Sequence, residues 1–142
     1  MTQTHRRPLP KICIALGLPD VPRLLEQARR EAEAGENFLE FRLDYLRDPV
    51  QGAQAIAQFL ESYPNCTVLA TCRRHQNHGK FNGSIEEQLA VLKLAVDNGA
   101  RAIDVEIETA EVRRSVARLF EPARNWLCPG IISRPPRPSI RS

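Results

Sequence analysis

Seven residues of this chain combine types and spacings that can do chemistry: Glu40, Arg42 and Asp44, then Thr71 and Arg73, then Asp104 and Glu106. Each group recurs at every second position inside a β-rich run, so its members fall on one face of a strand while Phe41 and Leu43, or Ile103, Val105 and Ile107, take the other. Parallel strands are covered on both faces and usually read as unbroken apolar runs. Charges in their place are costly unless they are paired or hydrogen-bonded. The polar stripes therefore line a lumen or cleft where the charges meet one another and a ligand. Arg42 and Arg73 are the ligand candidates, because a guanidinium fork matches a carboxylate with two parallel hydrogen bonds. Asp44, Asp104 and Glu106 support that polar lumen. A salt-bridge network without a ligand stays open on the pattern alone.

Other chemistries lack their residues. His75 and His78 stand at i, i+3 but have no third partner, so they read as the polar face of a loop and no metal site is expected. Cys13, Cys66, Cys72 and Cys128 form no C-x-x-C pair, and Cys13 and Cys72 sit in strand-like runs where a thiol acts as a small apolar group. The formal charge of +3 comes mostly from the ends, with Arg6 and Arg7 at one and Arg134, Arg137 and Arg141 at the other. A nucleic-acid partner would need a basic face with interleaved aromatics, and none is expected. The apolar runs are strand-sized, against the ~20 residues of a membrane helix, so no membrane partner is expected. The N-terminus has no apolar segment of a secretion signal, and the thiols fit a reducing compartment, which together place the protein in the cytoplasm.

The elements that must position these groups follow a rhythm. Strand-like runs at 11–17, 37–43, 67–73 and 102–108 alternate with helical patterns at 21–34, 49–63, 84–98 and 111–120. Asp20 can cap the first helix, Pro22 fits its first turn, and Gly35 can take the left-handed position after it. Pro64 stops the second, and Ser84 with Glu87 has the spacing of a capping box. Four βα units imply an α/β fold with parallel pairing. A doubly wound sheet and half of an eightfold barrel both fit, but no strand leads into G-x-G-x-x-G, which weighs against nucleotide binding. A barrel gives the polar stripes one destination, the inside, with their upper ends at the face where barrel enzymes bind substrate. Residues 1–10 read as a flexible lead-in and 11–125 as the half-barrel. Residues 126–142 read as an aberrant tail, because Ser133–Ser142 holds three Pro, three Arg and three Ser, and Pro129 interrupts the strand-like stub before it.

Three motifs in order resemble type I 3-dehydroquinate dehydratases. EFRLDYL at 40–46 is similar to the E-x-R-x-D segment of that family's second strand. Thr71-Cys72-Arg73 with Gly79, Phe81 and Gly83 resembles its third strand and following loop, and IDVE at 103–106 its fourth strand. The resemblance covers about residues 11–120 and implies the first four βα units of a (β/α)8 TIM barrel, incomplete. It implies a lyase of the shikimate pathway that removes water from 3-dehydroquinate to give 3-dehydroshikimate. A lysine forms a Schiff base with the ketone and a histidine moves the protons, with no cofactor. By resemblance Glu40, Arg42 and Arg73 bind substrate, and a homodimer of the intact family member stays open. Two departures bear on the site: the family's E-G-G loop reads Asn77-His78-Gly79 here, and a family serine falls at about Ala15.

The family's histidine belongs to an H-x-F-x-x-T-P motif on the fifth strand and its lysine to the sixth, so no catalytic residue is assigned here and the chain is expected to be inactive. Lys11 opens the first strand, Lys93 falls on a helix and Lys80 in a solvated loop, none suited to a Schiff base. Ordinary codons for Gly130–Ser142, read one base out of phase, encode a run containing H-x-F-x-x-T-P. A one-base shift near Cys128–Gly130 therefore accounts for the tail, whether as a frameshift, a sequencing error or a truncated gene. The competing expectation is an oligomeric βα-repeat module in which Arg42 and Arg73 bind an acidic metabolite without catalysis. A Schiff-base aldolase barrel is disfavoured by the paired E-x-R-x-D and T-x-R strands.

Overall fold

The computed structural model describes residues 12–105 together with Arg114, Val116 and Arg118, which are helical. Strands β1 (Ile14–Leu16), β2 (Phe38–Arg42), β3 (Thr67–Thr71) and β4 (Ala102–Asp104) alternate with helices α1 (Val21–Glu33), α2 (Pro49–Ser62) and α3 (Ile85–Asp97). All three strand pairs are parallel, and the spatial order is β1-β2-β3-β4. A doubly wound sheet reverses its order at a switch point. No reversal occurs among the described strands, which decides between the two architectures in favour of the barrel-type winding.

Local chemistry sets the helix ends. The Asp20 carboxylate accepts the Arg23 N–H at 2.9 Å, with Pro22 in the first turn of α1. The Asp48 carboxylate does the same for Gln51 N–H at 3.1 Å ahead of α2. Ser84 and Glu87 form the expected reciprocal capping box, at 3.1 and 2.8 Å. Gly35 (φ 99°) and Gly99 (φ 112°) turn the chain out of α1 and α3 in a conformation that side chains resist.

The core lies between the outer face of the sheet and the helices. Leu39 and Phe41 of β2, Val68 and Ala70 of β3 and Ile103 of β4 are fully buried there against Leu24, Ile56 and Leu92 of the helices. Phe41 meets Phe59 with ring centres 5.6 Å apart, and Phe59 stacks on Tyr63 at 5.1 Å. With the odd positions of β2 spent on this core, Glu40 and Arg42 face the opposite side.

The strands are shorter than their apolar patterns. β2 ends at Arg42, and Leu43–Tyr45 is a 3₁₀ turn, so Asp44 is not on the strand face expected for it. β3 ends at Thr71, which leaves Cys72 and Arg73 beyond the strand. Alternation was a poor guide at these ends because a 3₁₀ turn continues the burial of Leu43 and Asp44 without continuing the ladder. The lead-in 1–10, Glu106 and the tail 126–142 lie outside the described residues, as does most of the helix expected at 111–120.

Candidate active site

Strand register sorts the inner face into rows. Ala15 pairs with Glu40, Glu40 with Leu69, and Leu69 with Ala102. One step along, towards the C-terminal ends, Arg42 pairs with Thr71 and Thr71 with Asp104. Glu40, Arg42 and Asp104 are thus brought together by parallel pairing, with Arg73 just past the end of β3.

Hydrogen bonds tie the rows together. The Thr71 hydroxyl, on a fully buried residue, donates to Glu40 Oε2 at 2.6 Å. Arg73 Nη2 donates to Asp104 Oδ2 at 2.5 Å, with both side chains partly exposed. Arg42 grips Asp44 with two parallel bonds, Nε to Oδ1 at 3.0 Å and Nη2 to Oδ2 at 2.8 Å. The Asp44 side chain is fully enclosed and that of Arg42 is 17% exposed. Burial works against the Arg42 charge, but the bonds and field of Asp44 outweigh it and hold the guanidinium above its ordinary pKa. The 3₁₀ turn is what makes this fork: it curls Asp44 back over the strand end, where an extended continuation would carry it onward.

Asp44 Oδ2 also accepts the Lys80 N–H at 3.1 Å, so one carboxylate holds both the inner arginine and the loop after β3. That loop folds back on its own strand. Phe81 N–H donates to Arg73 O, His75 N–H to Phe81 O and Gly79 N–H to Arg74 O, at 3.0, 2.9 and 3.0 Å. The backbone of Gly79 passes so close that a Cβ there would sit 2.1 Å from Arg73 O. His75 and His78 are exposed, and His78 adopts φ 69° after the 3₁₀ turn His75–Asn77. No group of three or more metal-ligating side chains occurs among the described residues.

Tyr45 completes the rim. Its ring lies 4.8 Å from the Arg42 guanidinium carbon and 5.1 Å from Lys80 Nζ. It also covers the end of β1, where a Cβ on Gly17 would meet Tyr45 Cδ2 at 2.9 Å. Sequence reading gave Tyr45 no role because nothing in its spacing shows that a 3₁₀ turn swings the ring over Gly17. Gln88 was missed likewise: it is buried on α3, and its Nε2 donates to Cys72 O at 2.8 Å, holding a strand carbonyl that has left the ladder.

The arrangement can bind but has no poised nucleophile among the described residues. The Cys13 thiol is pushed up to about 12, by burial first and by the Glu40 carboxylate second. Burial raises the Cys72 thiol as well. Lys80 is exposed, and Lys93 is committed to Asp97 on α3 at 3.0 Å. Two guanidiniums, a carboxylate and a buried hydroxyl on one face suit a ligand carrying a carboxylate and hydroxyls.

Comparison with known proteins gives a consistent family. The model of type I 3-dehydroquinase matches residues 12–125. The 3-dehydroquinate dehydratase of Desulfotalea psychrophila is 38% identical over 110 residues, covering 78% of this chain and 45% of that protein. That of Methanothermobacter thermautotrophicus is 32% identical over 114 residues, covering 80% and 49%. The chain thus spans about half the length of the curated relatives it matches. Among solved structures, 3-dehydroquinate dehydratase from Geobacillus kaustophilus superposes with a TM-score of 0.69 at 22% identity, covering 81% of this chain and 47% of that one. The type I enzyme from Clostridium difficile, with covalent modified comenic acid, superposes with a TM-score of 0.68 at 20% identity, covering 80% and 47%. At such identities the likeness speaks for the fold: the described sheet corresponds to about half of a (β/α)8 barrel.

Proposed function

The chain belongs to the type I 3-dehydroquinase family, and from that premise we propose that it carries the substrate-binding half of a 3-dehydroquinate dehydratase. The reaction is loss of water from 3-dehydroquinate to give 3-dehydroshikimate, through a Schiff base made by a lysine, with a histidine moving the protons. Glu40, Arg42 and Arg73 bind the substrate, and Asp44 and Asp104 hold the two arginines. The reading is carried by the register that sets Arg42, Thr71 and Asp104 side by side at the strand ends, in a chain that matches this family over residues 12–125.

No described residue is placed to act as the amine or the imidazole, so on this proposal the described half binds and orients 3-dehydroquinate without itself dehydrating it. The lead-in 1–10, the half-barrel 11–125 and the tail 126–142 remain our division of the chain. The family match stops at residue 125, which supports a different origin for the tail. We assign the tail to a one-base shift near Cys128–Gly130, checked by resequencing codons 120–142 and the bases beyond. Free thiols at Cys13, Cys66 and Cys72 support a cytoplasmic location.

The deciding experiment is a titration of isotope-labelled chain with 3-dehydroquinate, followed by NMR and by the ultraviolet absorbance of the conjugated product. Shifts at Arg42, Thr71 and Arg73, reduced about tenfold or more in affinity by Arg73→Gln, with no absorbance change, are expected. Binding that leaves those resonances unmoved, or product formation by the chain alone, would sink the assignment.

A further inference from the structure

On the outer side of the sheet, a cavity of about 690 Å³ opens between the start of α2, the loop after β3 and the exposed side of α3. Its walls include Val50, Phe81, Val91 and Leu94, and Arg47 and Lys80 also line it. Val50 is 46% exposed, one of three large apolar side chains left so open among the described residues. The volume falls within the ~300–1,000 Å³ of small-molecule sites, and an apolar body with a few polar groups is their usual composition.

Charge decides the kind of ligand. Two carboxylates also line the cavity, and both are engaged: Asp44 with Arg42 and the Lys80 N–H, Glu87 with the Ser84 N–H. Arg47 and Lys80 have no ion-pair partner among the described residues, and Lys80 Nζ rests only on the Tyr45 ring. With Asp44 neutralised by Arg42, the site presents two cations, Arg47 and Lys80, and one carboxylate without a cationic partner among the described residues, Glu87, against an apolar wall, so its balance is positive. We propose that this outer cavity is a second binding site, separate from the inner face, for a small carboxylate with a flat apolar body. The ring packs between Val50, Phe81 and Leu94, and the carboxylate is taken by Arg47 and Lys80. The proposal does not depend on the reading of the inner face: Asp44 and Lys80 border both, but Glu40, Arg42 and Arg73, the side chains proposed to bind substrate there, do not line this cavity.

The test uses trans-cinnamate as the probe and the uncharged cinnamamide as its control, titrated into the full labelled chain. Cinnamate is expected to move the resonances of Val50, Ala90 and Leu94 and to bind at least tenfold more tightly than cinnamamide. Arg47→Gln and Lys80→Gln should each weaken it about tenfold, the loss of one charge-assisted contact. Ala90→Phe, at an exposed position on α3 that lines the cavity, should fill the space and abolish binding. Equal binding of the two probes overturns the proposal, and that comparison needs no variant to fold. So does a response confined to Arg42, Thr71 and Arg73, which would mean the probe had entered the inner face. Silence at Val50, Ala90 and Leu94 also overturns it, whatever occupies the space instead.

Discussion

Asp44 holds two things with one buried carboxylate, so its loss is felt twice. Asp44→Asn keeps the volume but removes the charge from the Arg42 fork and weakens the tie to Lys80 N–H. Losing hydrogen bonds to a charged group at such a site should cost about 2–3 kcal/mol, read as a lowered urea midpoint. Thr71→Val removes the hydroxyl that Glu40 accepts and should cost about 1 kcal/mol, since the half-buried carboxylate regains water; Thr71→Ser should recover most of it. The thiols give a pH effect with a definite sign. Cys13 rises from 9.0 to about 12 on folding, so above pH 9 the unfolded chain releases a proton that the folded chain still holds. Stability is full below that value and is lost as pH climbs through about 12. Wild type should therefore lose more stability between pH 8.5 and 11 than Cys13→Ala does, by on the order of 1 kcal/mol once solvent screening of the half-exposed thiol is allowed for. At this scale the sequence grouped Glu40 with Arg42, and Thr71 with Arg73, on a strand face, but did not show which groups they pair with. Arg42 could have paired with Glu40 or Asp44, and only the turn at Leu43–Tyr45 settles it.

Among the elements, the loop after β3 is the least readable from sequence, yet its backbone is held by hydrogen bonds to Arg73, Arg74 and Asp44. Its glycines mark close approach, and Gly79→Ala would drive a methyl into the carbonyl of Arg73. The loop must then lift, breaking Phe81 N–H to Arg73 O and loosening Lys80 N–H from Asp44. Hydrogen exchange at Phe81 and Lys80 should rise at least tenfold while β2 and β3 stay protected; unchanged exchange would show that the loop is held by something else. The helices are the opposite case. Asp20, Pro22, Gly35, Pro64 and the Ser84–Glu87 box announce their ends because capping is local chemistry, whereas strand ends are set by neighbours that local sequence does not contain. That is why β2 and β3 stop short of their alternating patterns.

Over the whole molecule, alternating strands and helices announced a parallel sheet but left its winding open until the order β1-β2-β3-β4 was seen. The polar stripe on the inner face pointed the right way, because a sheet wound in one direction with helices on one side leaves the other side for those charges. On the proposed dehydratase reading, the catalytic groups not found among the described residues should be suppliable from a relative. Mixing this chain with the part of the Desulfotalea relative beyond the matched region should give a complex on gel filtration and product absorbance that neither partner gives alone. Failure to associate would show that the described half is not a competent partner for closure. The internal pairing bears on this: Arg42 is answered by Asp44 and Arg73 by Asp104, while Glu40 accepts the Thr71 hydroxyl, all within one contiguous stretch of chain. Such a stretch carries the counter-ions of both inner arginines. Exchanged between homologous genes as a cassette, it would bring the partner of each arginine with it.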